Sequence, residues 1–110
     1  MCESSLNGYL LFGVEPEHDC WDSEAAIKAV DAADFVVSFG PWASETMMNS
    51  ADVLLPVGPF TETSGTFVNL EGRWQGFAGV ARPYGDSRPG WKVLRVLGNL
   101  LELDGFDYNS

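Results

Sequence analysis

The stretch Asp34–Val57, DFVVSFGPWASETMMNSADVLLPV, decides the fold. Its first six residues, DFVVSF, are a short, continuous apolar run that reads as a strand buried on both faces. Gly40-Pro41 then breaks the chain. Ser44 is placed to cap a short helix, with Glu45 in the first turn, where a carboxylate complements the helix dipole. A second apolar run, ADVLLPV at Ala51–Val57, reads as another strand, and Pro56 must end its pairing because proline has no N–H to give. Two buried-type strands joined by a helix are the unit of a parallel sheet.

Working outward from this unit extends the pattern. Upstream, GYLLFGV (Gly8–Val14) is a third apolar run, bounded by Asn7-Gly8 and Glu15-Pro16, and also reads as a strand buried on both faces. Asp22 or Ser23 can cap a helix over Ser23–Ala33, with Ile27, Val30 and the alanines inward. The order strand, helix, strand, helix, strand predicts a doubly wound α/β core over residues 1–58, with right-handed crossovers. Downstream the character changes. Residues 59–90 hold two short extended pieces, Thr66–Leu70 and Arg73–Phe77, around a turn at Glu71-Gly72. A connection rich in glycine and proline, GVARPYGDSRPG, follows. Residues 91–103, WKVLRVLGNLLEL, form the clearest helix, with Leu94, Leu97 and Leu101 on one face. Gly98 inside it costs about 1 kcal/mol against alanine, which marks either close packing or a tolerated defect. The closing DGFDYNS carries no terminal element, and no internal repeat is present.

Composition bounds the function. The chain has 110 residues, 45% of them hydrophobic, with seven phenylalanines, which argues for a packed core. Its net charge of −10 is uneven: Met1–Gly72 holds twelve acids and one base, Lys28, whereas the remainder holds four acids and five bases. So acidic a front half repels nucleic acid and anionic lipid, which argues against both as partners. No apolar run is long enough to span a membrane, and no basic stretch followed by an apolar one opens the chain. The expectation is a soluble, cytoplasmic protein. Cys2 and Cys20 match no zinc or redox spacing, and a reducing compartment argues against their pairing.

Site motifs are mostly excluded. The turn after the first strand, EPEHD, holds acids where a phosphate would approach a helix N-terminus. Neither a G-x-G-x-x-G nor a phosphate-loop motif occurs. Glu15, Glu17, His18, Asp19 and Cys20 cluster, but at no metal-ligand spacing, and acids before a helix have a simpler reason in its dipole. His18 is the single histidine, with no G-x-S-x-G elbow to accompany it. Neither a catalytic residue nor a metal site is expected.

One motif remains, TSGTFVNLEGRWQGF at Thr63–Phe77. Taken on their own, its residues read structurally. Gly65 and Gly72 permit backbone angles closed to other residues, Asn69 can bond its own turn, and Arg73 can pair with Glu71 or Glu62. Phe67, Trp74 and Phe77 supply buried or interface area. Together with ADVLLP at Ala51–Pro56, the pattern E-x-x-G-T-F-V-N-x-E-G-R-x-Q resembles the molybdopterin oxidoreductase family. The matching residues are Ala51, Asp52, Leu55, Pro56, Glu62, Gly65, Thr66, Asn69, Glu71, Gly72, Arg73 and Gln75. More closely, the chain is similar to the large iron–sulfur subunit of bacterial NADH–quinone oxidoreductase, respiratory complex I. SET at Ser44–Thr46 and RPGWKVLRVLGNLL extend the likeness over nearly the whole chain. Trp74, where pterin enzymes usually carry a smaller apolar residue, favours the respiratory subunit.

The resemblance implies a Rossmann-like layer with a short, mainly parallel sheet, followed by a small hairpin and a C-terminal helix. In pterin enzymes that layer helps to hold a pterin dinucleotide, and Asn69, Glu71, Gly72, Arg73 and Gln75 are the vestigial candidates for such contacts. In the respiratory subunit the fold is kept without molybdopterin, and iron–sulfur clusters sit in a cysteine-rich part that this chain lacks. The implied role is a non-catalytic scaffold segment, a fragment whose partners are the rest of its parent subunit and the other peripheral-arm subunits, at the inner face of the cell membrane. The alternative is a fragment of a working, formate dehydrogenase-like molybdenum enzyme. A free-standing small-molecule binding domain is the weaker alternative. A thin layer also predicts exposed apolar residues, among them Trp42, Trp74, Trp91 or Phe60, and weak self-association.

Overall fold

The computed structural model describes residues 6–109. Cys2 lies outside these residues, and Cys20 is a free thiol. The chain divides after Pro56 into two compact units.

The first unit is α/β, with strand β1 (Gly8–Phe12), a single helical turn α1 (Pro16–Asp19), helix α2 (Ser23–Asp31), strand β2 (Phe35–Gly40), helix α3 (Glu45–Ser50) and strand β3 (Val53–Pro56). The strands form one parallel sheet in the order β1-β2-β3. Both helix caps are those expected. Asp22 Oδ1 accepts from Ala25 N at 2.9 Å, and Ser44 Oγ accepts from Met47 N at 3.2 Å. The Asp52 carboxylate accepts from Val36 N at 2.7 Å while Asp52 N donates to Val36 O at 2.9 Å, so one residue closes the start of the β2–β3 pair. Leu11, Val30, Val36 and Met47 form the core between sheet and helices.

The parallel α/β layer is the one expected, and its strand order is that of a single winding. A doubly wound sheet reverses direction at its first strand, whereas this one advances stepwise from β1 to β3. Right-handed crossovers in one direction lay both helices on one face, and α2 packs against α3 accordingly. β1 also differs from the strand expected over Gly8–Val14. It ends at Phe12 and is an edge strand, buried only at Leu11, with Leu10 69% exposed. Only the central β2 has the two-sided burial that the sequence suggests, with Phe39 1% exposed. The first helix stops at Asp31 rather than Ala33, and EPEHD supplies a helical turn rather than a loop, because Pro16 at its start is preset for helical φ.

The second unit holds a short 3-10 turn (Phe60–Glu62), an antiparallel hairpin of β4 (Gly65–Val68) and β5 (Trp74–Phe77), and helix α4 (Gly90–Leu100). Phe67 and Phe77 stack with ring centroids 4.7 Å apart, and Phe60 meets both edge-on. Phe77 lies over Gly65, where a Cβ would strike its ring. The glycine- and proline-rich connection is tied down. Val80 N and Ala81 N donate to Thr61 O at 2.8 and 3.0 Å, and Glu62 Oε2 accepts from Tyr84 N and Ser87 Oγ. α4 ends three residues earlier than expected, at Leu100, and Glu102 turns the chain with φ 56°. The tail then folds back on α4, as its sequence did not suggest. Tyr108 OH donates to Trp91 O at 3.2 Å, and Arg95 Nη1 donates to Tyr108 O at 3.1 Å. No helix among the described residues is long and apolar enough to cross a membrane.

Candidate functional site

Ligands of open α/β sheets gather at the carboxyl ends of the strands. Here those ends carry a cleft that straddles β2. On the β1 side a cavity of about 250 Å³ is lined by Gly13, Val14, Glu15, Asp19, Ser38 and Met47, among others. On the β3 side one of about 210 Å³ is lined by Ala43, Leu54, Leu55 and Pro56. Ser38, Gly40, Pro41 and Trp42 are common to both.

Local structure explains each position. Gly13 N donates to Phe39 O at 2.8 Å, which carries the β1–β2 ladder one step past the strand, and Gly13 then turns with φ 62°. That turn sets Glu15 at the mouth. Asp19, one helical turn later, reaches back, and its Oδ2 accepts from Glu15 N at 2.7 Å. The backbone donor that opens α1 is thus taken by a carboxylate of the same loop. Ser38 sits on the central strand, 6% exposed. Trp42, after the Gly40-Pro41 break, is 71% exposed. Lys28, the only base up to Pro56, is outside the cleft and pairs with Glu24 at 2.6 Å.

Glu17, on α1, lies near Ser44 and Thr46 at the start of α3. Burial works to raise its carboxyl. Hydrogen bonding from Ser44 and Thr46 and the charge of His18 outweigh it, and the group lies below its ordinary value of 4.5. Its Oε2 is buried without a partner among the described residues. Among the described residues no group of three or more His, Cys, Asp or Glu is arranged to hold a metal ion.

The hairpin residues of the motif, Asn69 to Gln75, belong to the second unit. Asn69 Oδ1 accepts from Glu71 N at 3.0 Å and Arg73 N at 2.9 Å, so its side chain is spent on its own turn. Gly72 has φ 75°, the left-handed angle that favours glycine. The turn spans 69–73 between the strands, longer than a two-residue Glu71-Gly72 turn. Arg73 forms no salt bridge with Glu71 or Glu62. Glu62 is engaged instead by the connection after the hairpin. Gln75 lies on the aromatic face, beside Phe60, Phe67 and Phe77 in a groove of about 380 Å³. Sequence reasoning missed Ser38 and Trp42, which the rule on carboxyl ends would have found once the strands were placed.

The molybdopterin oxidoreductase family matches residues 1–100. The chain belongs to that family. Among its relatives is a candidate formate dehydrogenase of Staphylococcus aureus strain USA300, 40% identical over 81 residues, covering 74% of this chain and 8% of that protein. A counterpart in the bovine strain RF122 is 44% identical over 59 residues, covering 54% of this chain and 6% of that protein. The chain therefore spans under a tenth of these molybdopterin oxidoreductase relatives. The residues shared with the family pattern, from Ala51 to Gln75, run across the division between the two units.

Proposed function

We propose that this chain is a non-catalytic scaffold segment of the large, electron-transferring iron–sulfur subunit of an NADH–quinone oxidoreductase. The observation that carries the reading is the bond from Glu15 N to Asp19 Oδ2. A phosphate binds such a turn through free backbone N–H groups and nearby bases. Here the N–H is taken, two carboxylates line the cleft, and no basic side chain does. The cleft's own residues do not fit the phosphate-bearing half of a pterin dinucleotide. At the hairpin, Asn69 is likewise consumed by its turn. The fold has outlived the site chemistry, and the chain's work is to hold shape beside the rest of its parent subunit and the other peripheral-arm subunits. Iron–sulfur clusters belong to other parts of that parent, at the cytoplasmic face of the membrane.

Titration calorimetry of the 110-residue chain with NADH, GDP and a guanine-bearing pterin dinucleotide tests the reading. The expected result is no tight binding. Sub-micromolar affinity for any of them would overturn it.

The second reading is a segment of a formate dehydrogenase-like molybdenum enzyme. The 40% identity to proteins of that description favours it, as does Arg73, exposed and without a salt bridge among the described residues. Flanking sequence separates the two. A metal-ligating cysteine or selenocysteine and a pterin-binding remainder support the enzyme. Cysteine clusters on the N-terminal side beside respiratory genes support the scaffold.

A further inference from the structure

We propose that the cleft at the carboxyl ends of β1–β3 receives an arginine side chain from a basic segment of a partner protein. This rests on the reading that the cleft no longer takes a phosphate. Three features point to the occupant. The β1 side is lined by the carboxylates of Glu15 and Asp19, and only one oxygen of Asp19 is engaged, by Glu15 N. The β3 side is apolar, through Ala43, Leu54, Leu55 and Pro56. Between them stand the exposed indole of Trp42 and Ser38 of the central strand, which is 6% exposed and lines both cavities.

An arginine answers each feature. Its aliphatic stem suits the apolar wall, its planar head stacks on an indole, and its N–H fork donates to carboxylates and to a hydroxyl oxygen. A neutral ligand would leave the carboxylates unanswered, and an anion would be repelled. The charge of the whole surrounding unit acts in the same direction. Up to Pro56 the sequence carries ten acids against Lys28 alone, so a basic segment is drawn to this unit before it docks. The acidity is not spent internally, since Lys28–Glu24 is the one salt bridge among the described residues.

The test uses the 110-residue chain, isotope-labelled, and two blocked tripeptides, Gly-Arg-Gly and Gly-citrulline-Gly. Citrulline keeps the shape of arginine without its charge. Heteronuclear NMR should show saturable shifts at the Trp42 indole N–H and at the Ser38 and Gly40 amides with the arginine peptide. Loss of charge-assisted bonds should weaken binding about tenfold or more with the citrulline peptide, and similarly in Asp19→Asn and Glu15→Gln. The amide side chain of the first variant keeps an oxygen for Glu15 N–H, so the loop stays folded. Shifts scattered over acids elsewhere, shifts unchanged in both variants, or no shift at all would overturn the inference and leave the scaffold reading standing. Shifts at Trp42 and Ser38 with GDP would overturn both.

Discussion

Gly98 poses a question that its helix position alone cannot answer, and substitution by alanine answers it. It is the one fully buried residue of α4, and a Cβ built there would collide with the ring of Phe106. If the glycine were a tolerated defect, alanine would stabilise α4 by about 1 kcal/mol through helix propensity. The geometry sets a larger loss against that gain. The Phe106 ring must leave its place, and a half-buried phenylalanine contributes about 1 to 1.5 kcal/mol. Its departure also strains the tail beyond it. Tyr108 touches both Phe106 and Trp91, with ring centroids 6.1 Å apart in each pair. The bonds from Tyr108 OH to Trp91 O and from Arg95 to Tyr108 O are exposed, and losing both adds roughly 0.5 to 1 kcal/mol. Gly98→Ala should therefore destabilise by about 1 kcal/mol net.

The decisive measurement is a double-mutant cycle. In a Phe106→Ala background the collision is gone, and the same Gly98→Ala change should stabilise by about 1 kcal/mol. The two compact units need not unfold together. Amide exchange in Trp91–Leu97 is therefore the better readout, with urea unfolding by circular dichroism as the second. A sign reversal between the two backgrounds supports close packing. Stabilisation by Gly98→Ala in the unmodified chain would refute it and make the tail's return to α4 energetically idle.

The remaining predictions concern the hairpin and the acid limb. Asn69→Ala should cost about 1 kcal/mol, because the two backbone donors it serves are exposed and regain water, whereas Asn69→Asp should retain most of the stability. Gly72→Val should cost more than about 1 kcal/mol, because a β-branched residue is strained at φ 75°. Hydrogen exchange across β4–β5 reads both, and unchanged protection in both would remove the turn argument. Glu17 titrates lower in the folded chain than its ordinary value of 4.5. Its stabilising contribution is present above that value and is lost as pH falls through the depressed one. Glu17→Gln should flatten this part of the acid-unfolding curve below about pH 4.5, and an unaltered curve would show that Ser44 and Thr46 do not favour the charged form.

Legibility followed the range of the interaction. The caps at Asp22 and Ser44, the left-handed Gly72 and the self-bonding Asn69 were readable because each is settled within four residues of chain. The three parallel strands were readable from their apolar runs, but their order was not. Alternation along a strand does not say on which side its neighbour lies, so an edge strand such as β1 and the central β2 look alike in sequence. Leu10 and Val37 occupy partner positions in the register, yet one is exposed and the other buried. Arg73 failed for a related reason. Two acids lay within reach by spacing, but Glu62 is claimed by Tyr84 and Ser87, more than twenty residues away.

The cleft shows what spacing alone leaves undecided. Acids in EPEHD could be read as merely unwelcoming to a phosphate, or as capping the helix that follows. The geometry makes a stronger statement for Asp19, which turns back one helical turn and takes the N–H of Glu15. A carboxylate in that place performs part of the structural work a bound anion would do, since it satisfies a donor at the opening of α1 without any ligand. The turn and the sheet behind it, closed at its other end by Asp52 on Val36, are thus held by donors and acceptors of the chain itself. Asp19→Asn, which preserves the acceptor, should accordingly leave the fold intact, and the citrulline comparison then tests the charge of the cleft rather than its stability.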